Sequence, residues 1–195
     1  MDVRTPQPAA RNVSAGQASE SLGTLHAHAR RVGQGLPDDW KQRPSDLSDR
    51  QRVTLAIDGD SLQLERGERV RLVGIDCPEL DEPLGPAVAD YVRGLVEGRL
   101  VRLSFDPATV ISGHRDCFDR LLAYVWLPNG RLLNREIVAL GYGTVDLRYP
   151  CLWTPSFLEA ARAACRMGLG VWQPASPHRC VARTRGRPFT RAGRR

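Results

Sequence analysis

The chain has one lysine, four histidines and no long apolar run. No stretch approaches the roughly 20 apolar residues that cross a bilayer. Residues 1–31 also lack the short apolar core of a secretory signal. We therefore expect no membrane association, and we favour the cytoplasm over secretion. The histidines are scattered along the sequence and form neither a metal-ligand set nor a set of catalytic bases.

The five cysteines do not suggest a disulfide framework. Their number is odd and no two form a CxxC pair, which also argues against a zinc site. We expect free, partly buried thiols at Cys77, Cys117, Cys151, Cys165 and Cys180.

Arginine, by contrast, is abundant, because Lys41 is the single lysine among 28 basic residues. The net charge of +6 and the pI near 9.5 favour an anionic partner such as nucleic acid, since clustered basic side chains concentrate phosphates. The excess of arginine over lysine fits either phosphate recognition by a planar guanidinium or a base-composition bias in the gene. Solubility alone also explains a high net charge.

Three segments differ in composition. Residues 1–50 are rich in small and polar residues without a sustained period, which predicts a disordered N-terminal arm. Residues 176–195 are punctuated by arginine and lack an apolar face, which predicts a disordered basic tail. Residues 51–175 carry regular apolar patterns and form the predicted folded domain.

The pattern within this domain predicts five strands and three helices. Asp58-Gly59 indicates a tight turn between the first two strands, and Pro86 lies near the start of the first helix. We interpret the order of elements as an α+β, mainly β, fold built on a closed five-stranded barrel of the OB type. The predicted strands are 52–57, 61–64, 68–75, 99–105 and 120–127, and the predicted helices are 85–98, 132–143 and 154–168.

Polar residues interrupt the third predicted strand and the loop after it, in the sequence RLVGIDCPE of residues 71–79. Strict alternation along a strand points Arg71 and Asp76 to opposite faces. A bulge at Gly74 resets this alternation and brings both side chains to one rim of the barrel. Pro78 then ends the strand and presents Glu79 from a loop.

Asp58 and Asp60 lie in the preceding turn, which can return them to the same rim as Asp76. Converging carboxylates repel one another unless a cation lies among them. Oxygen ligands of this kind suit calcium or magnesium rather than zinc. An ordinary hairpin turn is the alternative explanation for the sequence DGD taken alone.

Arg120 opens the fifth predicted strand after a polar turn. Two guanidinium groups, a metal-binding carboxylate cluster and one further carboxylate suit phosphodiester hydrolysis, because the metal and the arginines stabilise the charged transition state while the carboxylate handles water. One alternative is an OB-type nucleic-acid-binding module that is catalytically weak or inactive. Another is a barrel whose polar rim is a structural ion-pair network.

Six collinear segments between residues 52 and 174 together resemble the staphylococcal nuclease (thermonuclease) family. The resemblance implies an OB-type barrel with three helices and a calcium-dependent cleavage of DNA and RNA that leaves 3′-phosphate ends. The six segments are IDGDS, RLVGIDCPE, LGPAVADYV, DRLLAYVWL, LLNREIVALGYGTV and LGVW.

The resemblance also implies roles for single residues. Asp60 and Asp76 match calcium ligands, the backbone carbonyl of Cys77 matches a third ligand, and Asp58 lies nearby. Glu79 matches the carboxylate that positions or deprotonates the attacking water.

Arg71 and Arg120 match the two arginines that hold the phosphate, and Arg120 is placed near the leaving oxygen. Tyr149 matches an aromatic residue beside the nucleotide, although packing is the alternative for a single tyrosine. Residues and resemblance together predict a calcium-dependent nuclease that hydrolyses DNA and RNA, prefers single strands and acts as a monomer.

Three residues near the predicted site depart from the family pattern. Cys77 replaces a threonine, while Phe118 and Asp119 replace a tyrosine and a glycine. These changes remove a hydroxyl near a terminal phosphate and place a negative charge beside Arg120. Aspartate tolerates a left-handed turn better than most residues do, so we expect the turn to persist and substrate affinity to be affected more than the fold.

Overall fold

The computed structural model describes residues 48–173. Within them, five strands form a closed barrel in the order β1-β2-β3-β6-β5, and two short strands, β4 and β7, pair with each other outside it. This architecture confirms the predicted OB-type barrel with helices. The elements are β1 Gln51–Ala56, β2 Ser61–Leu64, β3 Arg69–Leu72, β4 Ile75–Asp76, α1 Gly85–Val96, β5 Leu100–Phe105, β6 Leu121–Trp126, α2 Leu133–Ala139, β7 Thr144–Val145 and α3 Thr154–Arg166, with 3-10 turns at Pro107–Ser112 and Gly170–Trp172.

The barrel closes through one parallel pairing among antiparallel ones. β3 and β6 run parallel with Val70 opposite Leu121, and β1 and β5 run antiparallel with Gln51 opposite Val101. Closure removes the free edges that would otherwise invite pairing with another chain. Alternate residues of the strands point inward and form the core, which includes Val53, Leu62, Leu64, Val70, Leu72, Val101, Leu103 and Val125.

The predicted third strand, 68–75, is in fact two strands. β3 ends at Leu72, the chain turns, and β4 pairs with β7 in the separate sheet. Gly74 makes this turn with a φ of 77° instead of forming a bulge within one ladder. A Cβ atom at Gly74 would lie 2.5 Å from Sγ of Cys151, so conformation and space both require glycine. The turn still brings Asp76 to the rim that carries Arg71.

The helices cover the barrel with apolar faces. α1 buries Val88, Val92 and Val96 and packs against β1, as its sequence pattern predicts. α2 is shorter than predicted, because Gly141 follows it with a φ of 71° and approaches the backbone of Leu169 too closely for any side chain. α3 packs against α2 and ends close to its predicted boundary.

The expectation of free thiols is wrong for Cys165, which is disulfide-bonded, whereas Cys77, Cys117 and Cys151 are free. No helix in the described part of the chain has the length and apolar character needed to cross a bilayer. The predicted arm and tail lie outside the described residues except for residues 48–50, so the domain boundaries stay a prediction.

A buried amide ties α2 to the turn between β3 and β4. Asn134 has no exposed surface. Its Oδ1 accepts the N–H of Val125 at 3.0 Å, and its Nδ2 donates to the carbonyl of Val73 at 3.0 Å. The amide therefore satisfies one backbone group of β6 and one of the turn that positions the polar rim.

We expect Asn134→Ala to lower the free energy of unfolding by about 3 kcal/mol, because a buried N–H and a buried carbonyl both lose their partner. Asn129→Ala is the matched control, since Asn129 bonds the N–H of Arg131 in an exposed turn, and its cost should stay below about 1 kcal/mol. Urea denaturation of both variants measures the difference. Equal losses would show that Asn134 does not hold the turn.

Candidate active site

The turn between β1 and β2 brings two aspartates to one end of the barrel. Oδ1 of Asp58 accepts the N–H of Asp60 at 2.9 Å, which closes the turn on itself. A Cβ atom at Gly59 would lie 2.7 Å from Cβ of Cys77, so the turn packs directly on the segment that follows β4. Asp60 is 7% exposed as a result.

The guanidinium of Arg71 lies between two carboxylates. Its Nη1 is 3.1 Å from Oδ2 of Asp60, and its Nη2 donates to Oδ1 of Asp76 at 3.2 Å. Nη1 also donates to the carbonyls of Leu72 and Ile75, at 2.8 and 3.0 Å. One side chain therefore bonds both carboxylates and both ends of the turn between β3 and β4.

Asp60 is also bonded to the backbone beyond β4. Its Oδ2 accepts the N–H of Cys77 at 2.9 Å, and its Oδ1 accepts the hydroxyl of Ser61 at 3.2 Å. The Cys77 side chain packs against the backbone of Gly59 and Gly143. Burial raises the pKa of this thiol well above its ordinary value, so the sulfur is neutral. Cys77 thus contacts the carboxylate of Asp60 through its backbone N–H and not through its side chain.

Of the three carboxylates near Arg71, namely Asp58, Asp60 and Asp76, the most deeply buried is that of Asp60. Burial raises the pKa of Asp60 to about 7; Arg71 acts to lower this pKa, while Asp58 and Asp76 add to the rise. Full ionisation of the buried carboxylate therefore needs more positive charge than Arg71 supplies.

Glu79 stands exposed at the edge of this group, in the loop before α1. Its N–H donates to Oε2 of Glu82 at 2.9 Å. Burial, Asp58 and Asp76 raise the pKa of Glu79 above its ordinary value. The carboxylate therefore lies within the electrostatic reach of the aspartates and remains open to solvent.

Arg120 lies directly before β6, two residues before Leu122, which pairs with Arg71 across the β3–β6 ladder. Nε and Nη2 of Arg120 both lie 2.8 Å from Oδ2 of Asp116. Burial acts to raise the pKa of Asp116, but bonds from Arg120 outweigh it and lower that pKa. Within residues 48–173, Arg120 forms no ion pair with the carboxylates around Arg71.

The turn before Arg120 accommodates two of the departures from the family pattern. Asp119 adopts a φ of 60°, in the left-handed region, as expected. Its carboxylate lies 3.4 Å from Nη1 of Arg115. Phe118 is 63% exposed, and its ring centre is 5.5 Å from the guanidinium carbon of Arg120. The negative charge of Asp119 is thus directed towards a different arginine.

A second arginine at the rim, Arg148, is not predicted from the sequence. Its Nη2 is 3.8 Å from Oδ2 of Asp76, and its Nε is 2.8 Å from Oδ1 of Asp146. The neighbouring Tyr149 is 72% exposed, so core packing does not explain it. The sequence offers one weak signal for Arg148, namely its position next to Tyr149, which the family resemblance places beside the nucleotide.

Comparisons with known proteins point to one family of nucleases. A family model described as a staphylococcal nuclease homologue matches residues 69–174. An uncharacterized endonuclease of Escherichia coli O157:H7 is 33% identical over 132 residues, which cover 65% of this chain and 78% of that protein. The thermonuclease of Staphylococcus intermedius is 34% identical over 131 residues, which cover 62% of this chain and 74% of that protein.

The segment that matches the family model contains Arg71, Glu79 and Arg120, while Asp60 precedes it in the turn after β1. The match covers more than half of the chain, and the closed five-stranded barrel is the architecture that the resemblance implies. The chain therefore belongs to the staphylococcal nuclease family, and it is a phosphodiester hydrolase that acts on nucleic acids.

Proposed function

We propose that this nuclease depends on calcium and hydrolyses DNA and RNA, with a preference for single strands, at the rim around Arg71. The proposal rests chiefly on one observation, the placement of a guanidinium between Asp60 and Asp76 beside the exposed Glu79. In this proposal Asp60 and Asp76 hold the calcium ion together with the backbone carbonyl of Cys77.

The donor set fits a hard cation. Carboxylates and a backbone carbonyl offer oxygen ligands, and the charge deficit around Asp60 favours an added cation. No three histidine, cysteine or acidic side chains within residues 48–173 are close enough to enclose a metal. Water would therefore complete the shell, which suits calcium because it accepts roughly six to eight oxygens in a flexible geometry. A bound divalent cation supplies charge stabilisation and a more acidic water.

Glu79 is suited to receive the proton of the water that attacks phosphorus. A raised carboxyl pKa moves a general base closer to neutral pH, which favours proton transfer. The attack breaks the bond between phosphorus and the 5′ oxygen, so the products carry a 3′-phosphate and a 5′-hydroxyl. The proton ends on the leaving oxygen, directly or through solvent.

Arg71 and Arg120 are proposed to stabilise the phosphoryl oxygens as their charge grows. Asp116 fixes Arg120 through Nε and Nη2, and the other N–H groups of that guanidinium donate no bond to the described residues. A guanidinium held in place costs little reorganisation when the transition state forms. None of these contacts requires a 2′-hydroxyl, which is why the proposal includes both DNA and RNA.

Glu79→Gln keeps the shape of the side chain and removes its basicity, so kcat on single-stranded DNA should fall by about a hundredfold or more. Binding of the same strand should change little. Glu159→Gln is the matched control, because Glu159 is an exposed glutamate of α3 outside the rim, and it should keep full activity. If kcat of Glu79→Gln stays within a few-fold of the parent, the proposed role of Glu79 is wrong.

The raised pKa of Asp60 predicts a pH-dependent stability in the presence of a chelator. Between about pH 4 and pH 7 the unfolded state has lost this proton while the folded state still binds it, so the free energy of unfolding falls as pH rises through this range. Asp60→Asn lacks this titration and should lose less stability between about pH 5 and pH 8.

Chemical denaturation of both proteins at the two pH values measures the difference. Calcium at the higher pH should restore stability to the parent and not to Asp60→Asn, because a ligand stabilises the state that binds it. An identical pH dependence of the two proteins would contradict the raised pKa.

A further inference from the structure

A basic pocket of about 430 Å³ lies at the end of β6 that is remote from Arg120. The start of β1, the turn between α1 and β5, and the end of β6 form its walls. Its lining includes Arg50, Arg52, Arg99, Leu100, Arg102 and Trp126. No acidic residue lines it.

The charge of this pocket is largely uncompensated. Arg50, Arg99 and Arg102 are exposed, and none of them forms an ion pair with an acidic residue of the described range 48–173. Arg52 donates to the carbonyl of Gly98 at 2.7 Å and lies 3.8 Å from Glu65. Like charges held together without counter-charges raise the local concentration of anions.

The barrel holds these arginines on a rigid ladder. Arg52 pairs with Leu100 between β1 and β5, and Arg102 pairs with Trp126 between β5 and β6. The backbone positions of the basic side chains are thus set by strand register.

The pocket is also within reach of a strand bound at the rim. From Arg120, directly before β6, to Trp126 at the end of β6 the chain advances six residues, which at about 3.3 Å per residue is roughly 20 Å. OB folds bind roughly 4–16 nucleotides of a single strand, so one polynucleotide can contact both places.

We propose that this pocket is a second phosphate-binding site, which holds the backbone of a polynucleotide at a distance from the bond that is cleaved. The guanidinium groups suit phosphate oxygens, and Leu100, which is 37% exposed, offers apolar surface to a sugar. Trp126 is 2% exposed and forms part of the floor, so the pocket binds the strand without stacking a base on this ring. The inference rests on the nuclease activity and does not require the proposed calcium ligands.

The test compares Arg99→Ala/Arg102→Ala with Arg162→Ala/Arg166→Ala, which removes the same charge from exposed positions of α3. We expect the first pair to raise KM for a strand of about 20 nucleotides by about fivefold or more, with kcat unchanged, because two phosphate contacts are lost. KM for a trinucleotide should not change, since it is too short to reach the pocket. The second pair should change neither value.

Binding is measured separately by fluorescence anisotropy of the same long strand in a chelator, so this measurement decides the proposal even if cleavage fails. The salt slope of log K should be shallower by about 1.4 for the first pair alone. The proposal is overturned if affinity for the long strand is unchanged, if both pairs lose it equally, or if the trinucleotide is affected as strongly. If the first pair loses binding of inorganic phosphate but keeps its affinity for the long strand, the pocket binds small phosphates and the proposal is also overturned.

Discussion

The polar rim depends on the bonds of the Arg71 guanidinium. This group contacts the carboxylates of Asp60 and Asp76 and the carbonyls at both ends of the turn between β3 and β4. A buried carboxylate without a partner is costly, so the arginine stabilises the fold at this end of the barrel in addition to its proposed role in phosphate binding. The bonds that stabilise the turn between β3 and β4 therefore also hold Asp60 and Asp76 together, the two side chains proposed to bind calcium.

The sequence predicts the barrel well because its strands alternate and its turns have recognisable residues. The left-handed conformation of Asp119 could also be expected, because aspartate tolerates this conformation better than most residues do. The passage of the chain from the barrel to the separate β4–β7 sheet at Gly74 could not be predicted. An apolar run does not reveal which strands its first and second halves will pair with. Asp116 and Arg148 were missed because their contacts with Arg120 and Asp76 depend on loop geometry that local patterns do not encode.

The rim and the remote pocket are proposed to contact different parts of a long anionic strand. Arg71 and Arg120 are both oriented by carboxylates, which gives each guanidinium a defined position for the proposed chemistry. In the remote pocket, Arg99 and Arg102 have no acidic partner within residues 48–173, which suits tolerant contact with a phosphate backbone. Such a division separates affinity for the polymer from stabilisation of the transition state.

The most direct test of the account is a calorimetric titration of calcium into the parent, Asp60→Asn, Asp76→Asn and the exposed control Asp49→Asn. The account predicts that each rim variant loses at least about tenfold in calcium affinity, because each removes a charged oxygen ligand, while the control binds like the parent. Rim variants that bind calcium with the affinity of the parent would contradict the assignment of the rim as the metal site.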